Sequence, residues 1–168
     1  MAISMYDISI PVFTRVLSNL SAILNKAAAH AEAKKIEPSV FITSRLAPDM
    51  FALARQVQIA TDAIKGCVAR LAAVEIPSFP DTEASFPELQ ERIAKTQAFI
   101  SSVTAAQLEG ADSRIVTLKV RGEDMQLPGL AYLNGFAVPN MYFHVTTTYA
   151  ILRHNGVEIG KMDFLGGN

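Results

Sequence analysis

Pro48 to Val74 reads PDMFALARQVQIATDAIKGCVARLAAV, and the fold turns on how this stretch is read. Met50, Leu53, Val57, Ala60, Ile64, Cys67 and Leu71 recur at intervals of three and four, so a helix gathers them into one apolar seam. Pro48 suits a first helical position, where its missing N–H has no partner to lose. The spacing therefore predicts a helix over about 48–74. A helix with one apolar face needs other elements to cover it, and the flanking sequence supplies three more of the same kind.

Upstream, Val12, Val16, Leu20, Ile23, Leu24 and Ala27 predict a helix over about 8–33, with Pro11 tolerable in its first turn. KKIEPSVFITSRLAP then reads as a connection with one short turn around 38–41, and it brings Arg45 to the start of the second helix. Downstream, EIPSFPDTEAS breaks the periodicity with two prolines. Ser85 and Glu88 have the spacing of a capping box, the hydroxyl accepting one amide hydrogen while the carboxylate accepts another. The third helix covers about 86–108, with Leu89, Ile93, Phe99, Ile100 and Val103 packing.

RIVTLKVRGEDMQLPG has a different rhythm. Val116, Leu118 and Val120 alternate with Thr117, Lys119 and Arg121, and Gly122-Glu123-Asp124 supplies a turn before Met125 and Leu127; the pattern is a small hairpin. Such a ribbon needs its apolar side covered, and the helices are the available partner. The last helix starts at Val138 or Pro139 and reaches about His154, with Asn155-Gly156 as its stop. VEIGKMDFLGGN remains as a surface tail tied down by Ile159, Met162 and Phe164. The expected architecture is all-α: a four-helix bundle, one domain over 1–168, with a β-hairpin in the crossover before the last helix.

The composition narrows the function classes. Half the residues are apolar and 18% are charged, below the roughly 25% usual for a soluble domain. Either the polar surface is thin or part of the apolar surface serves self-association. A net charge of −1 offers no overall attraction for nucleic acid or an anionic membrane, and no basic surface interleaved with aromatics is evident. Neither a secretory signal nor eighteen consecutive apolar residues occurs, which points to a cytoplasmic protein with no membrane span. Cys67 is the only cysteine, which excludes an internal disulfide, and in an apolar helical pattern it reads as a small buried hydrophobe.

The chemistry, if present, concentrates on the second and last helices. Asn140 and His144 lie about 40° apart and about 6 Å along a helix, so they can share a pocket. His154 stands about 15 Å beyond His144, too far for both to bind one metal ion directly. It reads instead as a cap on the final carbonyls. His30 reads as a histidine near a helix end. On the second helix, Asp49 and Gln56 are seven positions apart and flank the seam, and Arg45 can turn inward to Asp49 or to an anionic ligand. Asp49 orienting His144 as a base, with Asn140 or Tyr142 positioning a polar substrate, is the sharpest catalytic expectation. Thr146, Thr147 and Thr148 are expected to bond back to helix carbonyls. No phosphate-cradling glycine motif or nucleophile elbow stands in a useful context.

RLAPDMFALARQVQIATD (45–62) and PNMYFHVTTTYAILRHNGVEIGKMDFL (139–165), with the N-terminal MYDISIPVF, resemble a bacterial family related in fold to the DinB/YfiT-like metalloenzyme bundles. The resemblance extends over essentially the whole chain. It implies a four-helix bundle, often dimeric, so a homodimer is expected. Metal-bearing members of that wider group use a histidine from the second-helix region and an H-x-x-x-H pair on the last helix. Here His144 approximates the first member of the pair, Thr148 stands where the second belongs, and the second-helix region offers Asp49 and Gln56. That departure disfavours a divalent metal and leaves Asp49 and His144 as the ligands of a weakly held one. Three readings follow: a pocket for a small molecule around Arg45, Asp49, Gln56, Asn140, Tyr142 and His144; a metal-dependent transferase or hydrolase; and a structural homodimer.

Overall fold

The computed structural model describes residues 3–120 and 122–167. In chain order its elements are α1 (Ile10–Lys34), α2 (Pro38–Thr43), α3 (Leu53–Ala72), α4 (Phe86–Ser102), a 3-10 turn at Ala106–Leu108, β1 (Ile115–Val120), β2 (Glu123–Pro128), α5 (Gly129–Tyr132), a π-helical turn at Leu133–Ala137, α6 (Val138–His154) and α7 (Lys161–Leu165). The protein is an all-α helical bundle with a small β-hairpin ahead of its last long helix. α3 packs on α6 and α4, and α1 packs on α4. The predicted seams supply the interior: Leu20 and Leu24 from α1, Val57, Ile64 and Leu71 from α3, and Leu89 and Ile93 from α4 are all sealed from solvent. Cys67 is buried among them, and burial pushes its thiol up to about 12, so it stays protonated. Among the described residues no helix is long and apolar enough to cross a membrane.

The element ends differ from the sequence reading for identifiable reasons. α3 begins at Leu53, not Pro48. The Arg45 guanidinium donates to the carbonyls of Pro48 (3.4 Å) and Met50 (3.2 Å), and the Leu53 N–H turns back to the Ser44 carbonyl (2.9 Å). Carbonyls that would have opened a helix at Pro48 are thus held in a loop. α1 and α3 end without glycine, on Lys35 and Ala73 at φ of 55° and 54°. The N–H groups of Ile36 and Val74 close each end onto the carbonyls of Ala31 and Ala69.

α4 stops at Ser102, six residues short of the expected Leu108. The signal for this stop is a second capping box. Gln107 Oε1 accepts the Thr104 N–H at 2.8 Å while Thr104 Oγ1 accepts the Gln107 N–H at 3.4 Å, which restarts the chain as the 3-10 turn. At the other end of α4 the expected Ser85–Glu88 box is present in altered form. Ser85 Oγ accepts the Glu88 N–H, but the Glu88 carboxylate reaches one residue further back, to the Ala84 N–H at 2.7 Å.

The hairpin pairs Val116 with Leu127 and Val120 with Glu123, Gly122 just before the second strand has φ 89°, and Glu123 and Asp124 belong to that strand. Arg121, expected in the alternation, lies outside the described residues. Val116 and Leu118 are the buried side of the ribbon. From Gly129 the chain stays helical to His154 through the π turn. Pro139 has no N–H for the Gly135 carbonyl, and a widened turn just before it accommodates that missing bond. The tail carries α7, which docks on α1 through Asn19 Nδ2 to the Phe164 carbonyl (3.0 Å) and Lys26 to Asp163 (2.5 Å). Of the three residues expected to anchor it, Ile159 is buried and Phe164 meets Tyr149 edge-on, while Met162 is 55% exposed.

Candidate functional site

α3 and α6 pack against each other, and a buried polar pair joins them. His144 Nδ1 lies 2.7 Å from Gln56 Oε1, with both side chains buried. The Gln56 amide is oriented by its own donor, because Nε2 bonds the Phe51 carbonyl at 3.0 Å. Its oxygen therefore faces the imidazole, Nδ1 carries the proton, and Nε2 is left as the basic nitrogen. The orienting contact expected from Asp49 is made by Gln56. Burial, and then the positive charge of Arg55, hold the His144 pKa below its ordinary 6.5. Thr148 and Thr147 bond back to the carbonyls of His144 (2.9 Å) and Phe143 (2.7 Å), as expected for helical threonines.

A depressed histidine pKa has a defined consequence for stability. Between the folded and the unfolded pKa the unfolded chain binds the extra proton, so this contribution is complete above 6.5 and is lost as the pH falls below it. Wild type should lose more unfolding free energy than His144→Gln between about pH 7.5 and pH 5.5. Urea titrations at both pH values measure the difference, and parallel losses would remove the linkage from His144.

The six expected pocket residues fall in separate places. Gln56 and His144 form the buried pair. Arg45 is exposed and braces the loop before α3, and Asp49 is exposed in that loop. Tyr142 lies on an outer apolar groove of α6 with Leu46 and Phe143. Asn140 lines a cavity on the other side of α6. Of the other histidines, His30 sits edge-on to Phe41. His154 is exposed in the last turn of α6, where the closing bonds come from the Asn155 side chain to the Ile151 carbonyl (2.8 Å) and from the Gly156 and Val157 N–H groups.

This donor set does not fit a resident divalent ion. His144 offers one imidazole nitrogen, the Thr148 hydroxyl is spent on a carbonyl, and Asp49 is exposed in the loop ahead of α3. Among the described residues no three His, Cys, Asp or Glu side chains come together as a group that would hold a metal.

The cavity that Asn140 lines has a volume of about 620 Å³ and lies between α3, the hairpin, the π turn and the start of α6. Ala63 and Arg70 come from α3, Thr117 from β1, and Tyr132 and Phe136 from the helical run that ends in α6. The Tyr132 and Phe136 rings stack with centroids 6.1 Å apart. Arg70 Nη1 donates to the Tyr132 hydroxyl at 3.4 Å. Burial, and next to it Cys67, push the Tyr132 hydroxyl up to about 12, so it remains a donor at neutral pH. Arg70 and Tyr132 were not legible as a pair, since 62 residues separate them. The one local trace is Gly66, a glycine inside a regular helix four positions before Arg70. A Cβ there would sit 2.6 Å from Arg70 Nη1.

A family model described as Domain of unknown function (DUF1993) matches residues 5–165. Among solved structures, the chain is similar to the crystal structure of a DinB family member protein from Shewanella denitrificans, at 42% identity and a TM-score of 0.92, covering 98% of this chain and 93% of that one. The comparison with curated proteins gave no match.

Proposed function

The chain belongs to the DUF1993 family of DinB-like bundles, and we propose that it binds a small molecule in the cavity beside α6, between α3, the hairpin and the π turn. The observation that carries this reading is the cavity itself: about 620 Å³, lined by residues of α3, the hairpin, the π turn and α6. That volume falls in the range of small-molecule sites, which combine apolar walls with a few convergent polar groups. Both kinds of wall are present. Ala63, Leu118 and Phe136 are apolar, while Arg70, Tyr132 and Asn140 bring donors. π turns also recur where a helix is re-aimed at a functional site. Asn140 is the residue of the expected set that reaches this cavity.

Ala63 is half-buried on α3 and lines the space, so a larger side chain there enters the cavity. A fragment library screened by ligand-observed NMR should give binders to wild type that Ala63→Phe loses, by about tenfold or more in affinity. The two proteins should melt alike. Binders retained at full affinity by Ala63→Phe would move the site elsewhere.

A further inference from the structure

We infer that the ligand of this cavity is a monocarboxylate with an apolar body, held by the Arg70 guanidinium and the Tyr132 hydroxyl. The inference rests on the cavity being a binding site and concerns what chemistry it selects.

The charge balance of the lining comes first. Arg70 and Lys119 bring two positive charges and Asp124 one negative charge. Lys119 and Asp124 lie 3.9 Å apart at the exposed rim, with 78% and 62% of their side-chain surface in solvent, so they screen each other. Asp62, eight residues before Arg70 on α3, is held by Arg92 at 2.7 Å and Lys65 at 2.8 Å. Among the described residues no carboxylate pairs with Arg70, and the lining keeps one uncompensated positive charge. A monoanion neutralises it. A phosphomonoester dianion would bring a second negative charge into a half-buried space with nothing to meet it.

Geometry gives the second reason. The negative end of the α3 dipole favours a cation in its last turn, which an exposed lysine would satisfy equally well. Arg70 instead lies back along its helix over Gly66, in space that any other residue at position 66 would occupy, and donates to a buried tyrosine. Because the Tyr132 oxygen accepts that bond, its own proton remains to be donated. A planar guanidinium presents two parallel N–H groups to a carboxylate, and the tyrosine hydroxyl adds a third donor. The Asn140 amide lies on the same lining. The Phe136 face, Ala63 and Leu118 then border the rest of the ligand, and they are apolar.

The test is a set of matched acids and amides, phenylacetate with phenylacetamide and hexanoate with hexanamide, alongside inorganic phosphate. Each is titrated by NMR or calorimetry into the full chain and into Arg70→Gln, Gly66→Ala and Ala63→Phe. At least one acid should bind wild type about tenfold or more tightly than its amide, with phosphate weaker still. Arg70→Gln should erase the preference. Gly66→Ala should weaken acid binding as well, since the new methyl displaces the guanidinium while alanine favours the helix. That second variant separates loss of charge placement from loss of fold.

Acids and amides that bind equally, with Ala63→Phe still blocking both, would overturn the carboxylate and leave the cavity reading standing. Preference for phosphate would overturn it in the same way. If no member of the set binds and the fragment screen is also empty, both readings fall together.

Discussion

Arg92→Ala is expected to cost about 3 kcal/mol of stability and to lower the melting temperature by roughly 10 °C. Arg92 is the largest of the sealed side chains, with only 1% of its side-chain surface in solvent. Its guanidinium meets three carboxylates: Asp62 at 2.7 Å, Asp81 at 3.0 Å and Glu83 at 2.9 Å. Its Nε donates to Thr61 Oγ1 at 2.8 Å, and Nη1 also reaches the Pro80 carbonyl at 3.2 Å. Burial alone would lower the arginine pKa, but the Glu83 hydrogen bond and the charges of Asp62, Glu83 and Asp81 more than offset it. Arg55 also pairs with Asp81, and Gln58 donates to Glu83 at 2.9 Å, so the segment between α3 and α4 is strapped down by charge.

Removing the arginine leaves Glu83, whose side chain is only 11% exposed, beside two other carboxylates with their main counter-charge gone. Asp62 and Asp81 are each more than a third exposed and recover hydration, which keeps the expected loss near the low end for a broken buried pair. Limited proteolysis should cut Arg92→Ala within residues 74–84 well before wild type. A variant that melts like wild type and resists cleavage there would show that the strap contributes little.

The seams were the readable part of this fold because periodicity is local. Val57, Ile64 and Leu71 declare one face of α3 whatever they pack against, and the same holds for Leu20 and Leu24 on α1. Boundaries set by side chains bonding to backbone were harder. Thr104-Ala105-Ala106-Gln107 has the same spacing as Ser85-Phe86-Pro87-Glu88, yet it sits inside a helical pattern that masks it. The start of α3 depends on Arg45 reaching two carbonyls, which no spacing rule contains. In the site, helical geometry set Gln56 beside the α3 seam and offered His144 as a pocket candidate on α6, but it had no means of pairing them across 88 residues. Arg70 and Arg92 were invisible for the same reason. Each looks like an ordinary surface charge until residues from distant segments (Tyr132 for one, Asp81 and Glu83 for the other) are folded against it.

Gly129→Ala is expected to destabilise the protein by roughly 3 kcal/mol, at the upper end of overpacking costs, and to disable the cavity. Gly129 opens α5 where β2 ends, and it is buried. A Cβ at this position would fall 1.9 Å from the Ala111 carbonyl oxygen and 2.9 Å from Leu71 Cδ2. The first obstacle is backbone, so no rotamer change relieves it. The following N–H makes the opposite kind of contact, since Leu130 donates to the Asp112 carbonyl at 3.0 Å. Two segments, residues 111–112 and 129–130, are thus clamped backbone to backbone, and only glycine permits that approach. An alanine methyl must push them apart. The run that shifts leads straight into Tyr132 and Phe136, which line the cavity, and Leu71 on the other side sits next to Arg70. The damage should therefore appear twice: as a lower denaturation midpoint, and as lost acid binding under conditions where Gly129→Ala is still folded. By contrast, Gly135 has open space around its Cβ, so Gly135→Ala should be tolerated at a site six residues away. Equal stability and equal binding for Gly129→Ala would mean that the 111–112 segment yields freely, and that the hairpin is not held to the bundle at this clamp.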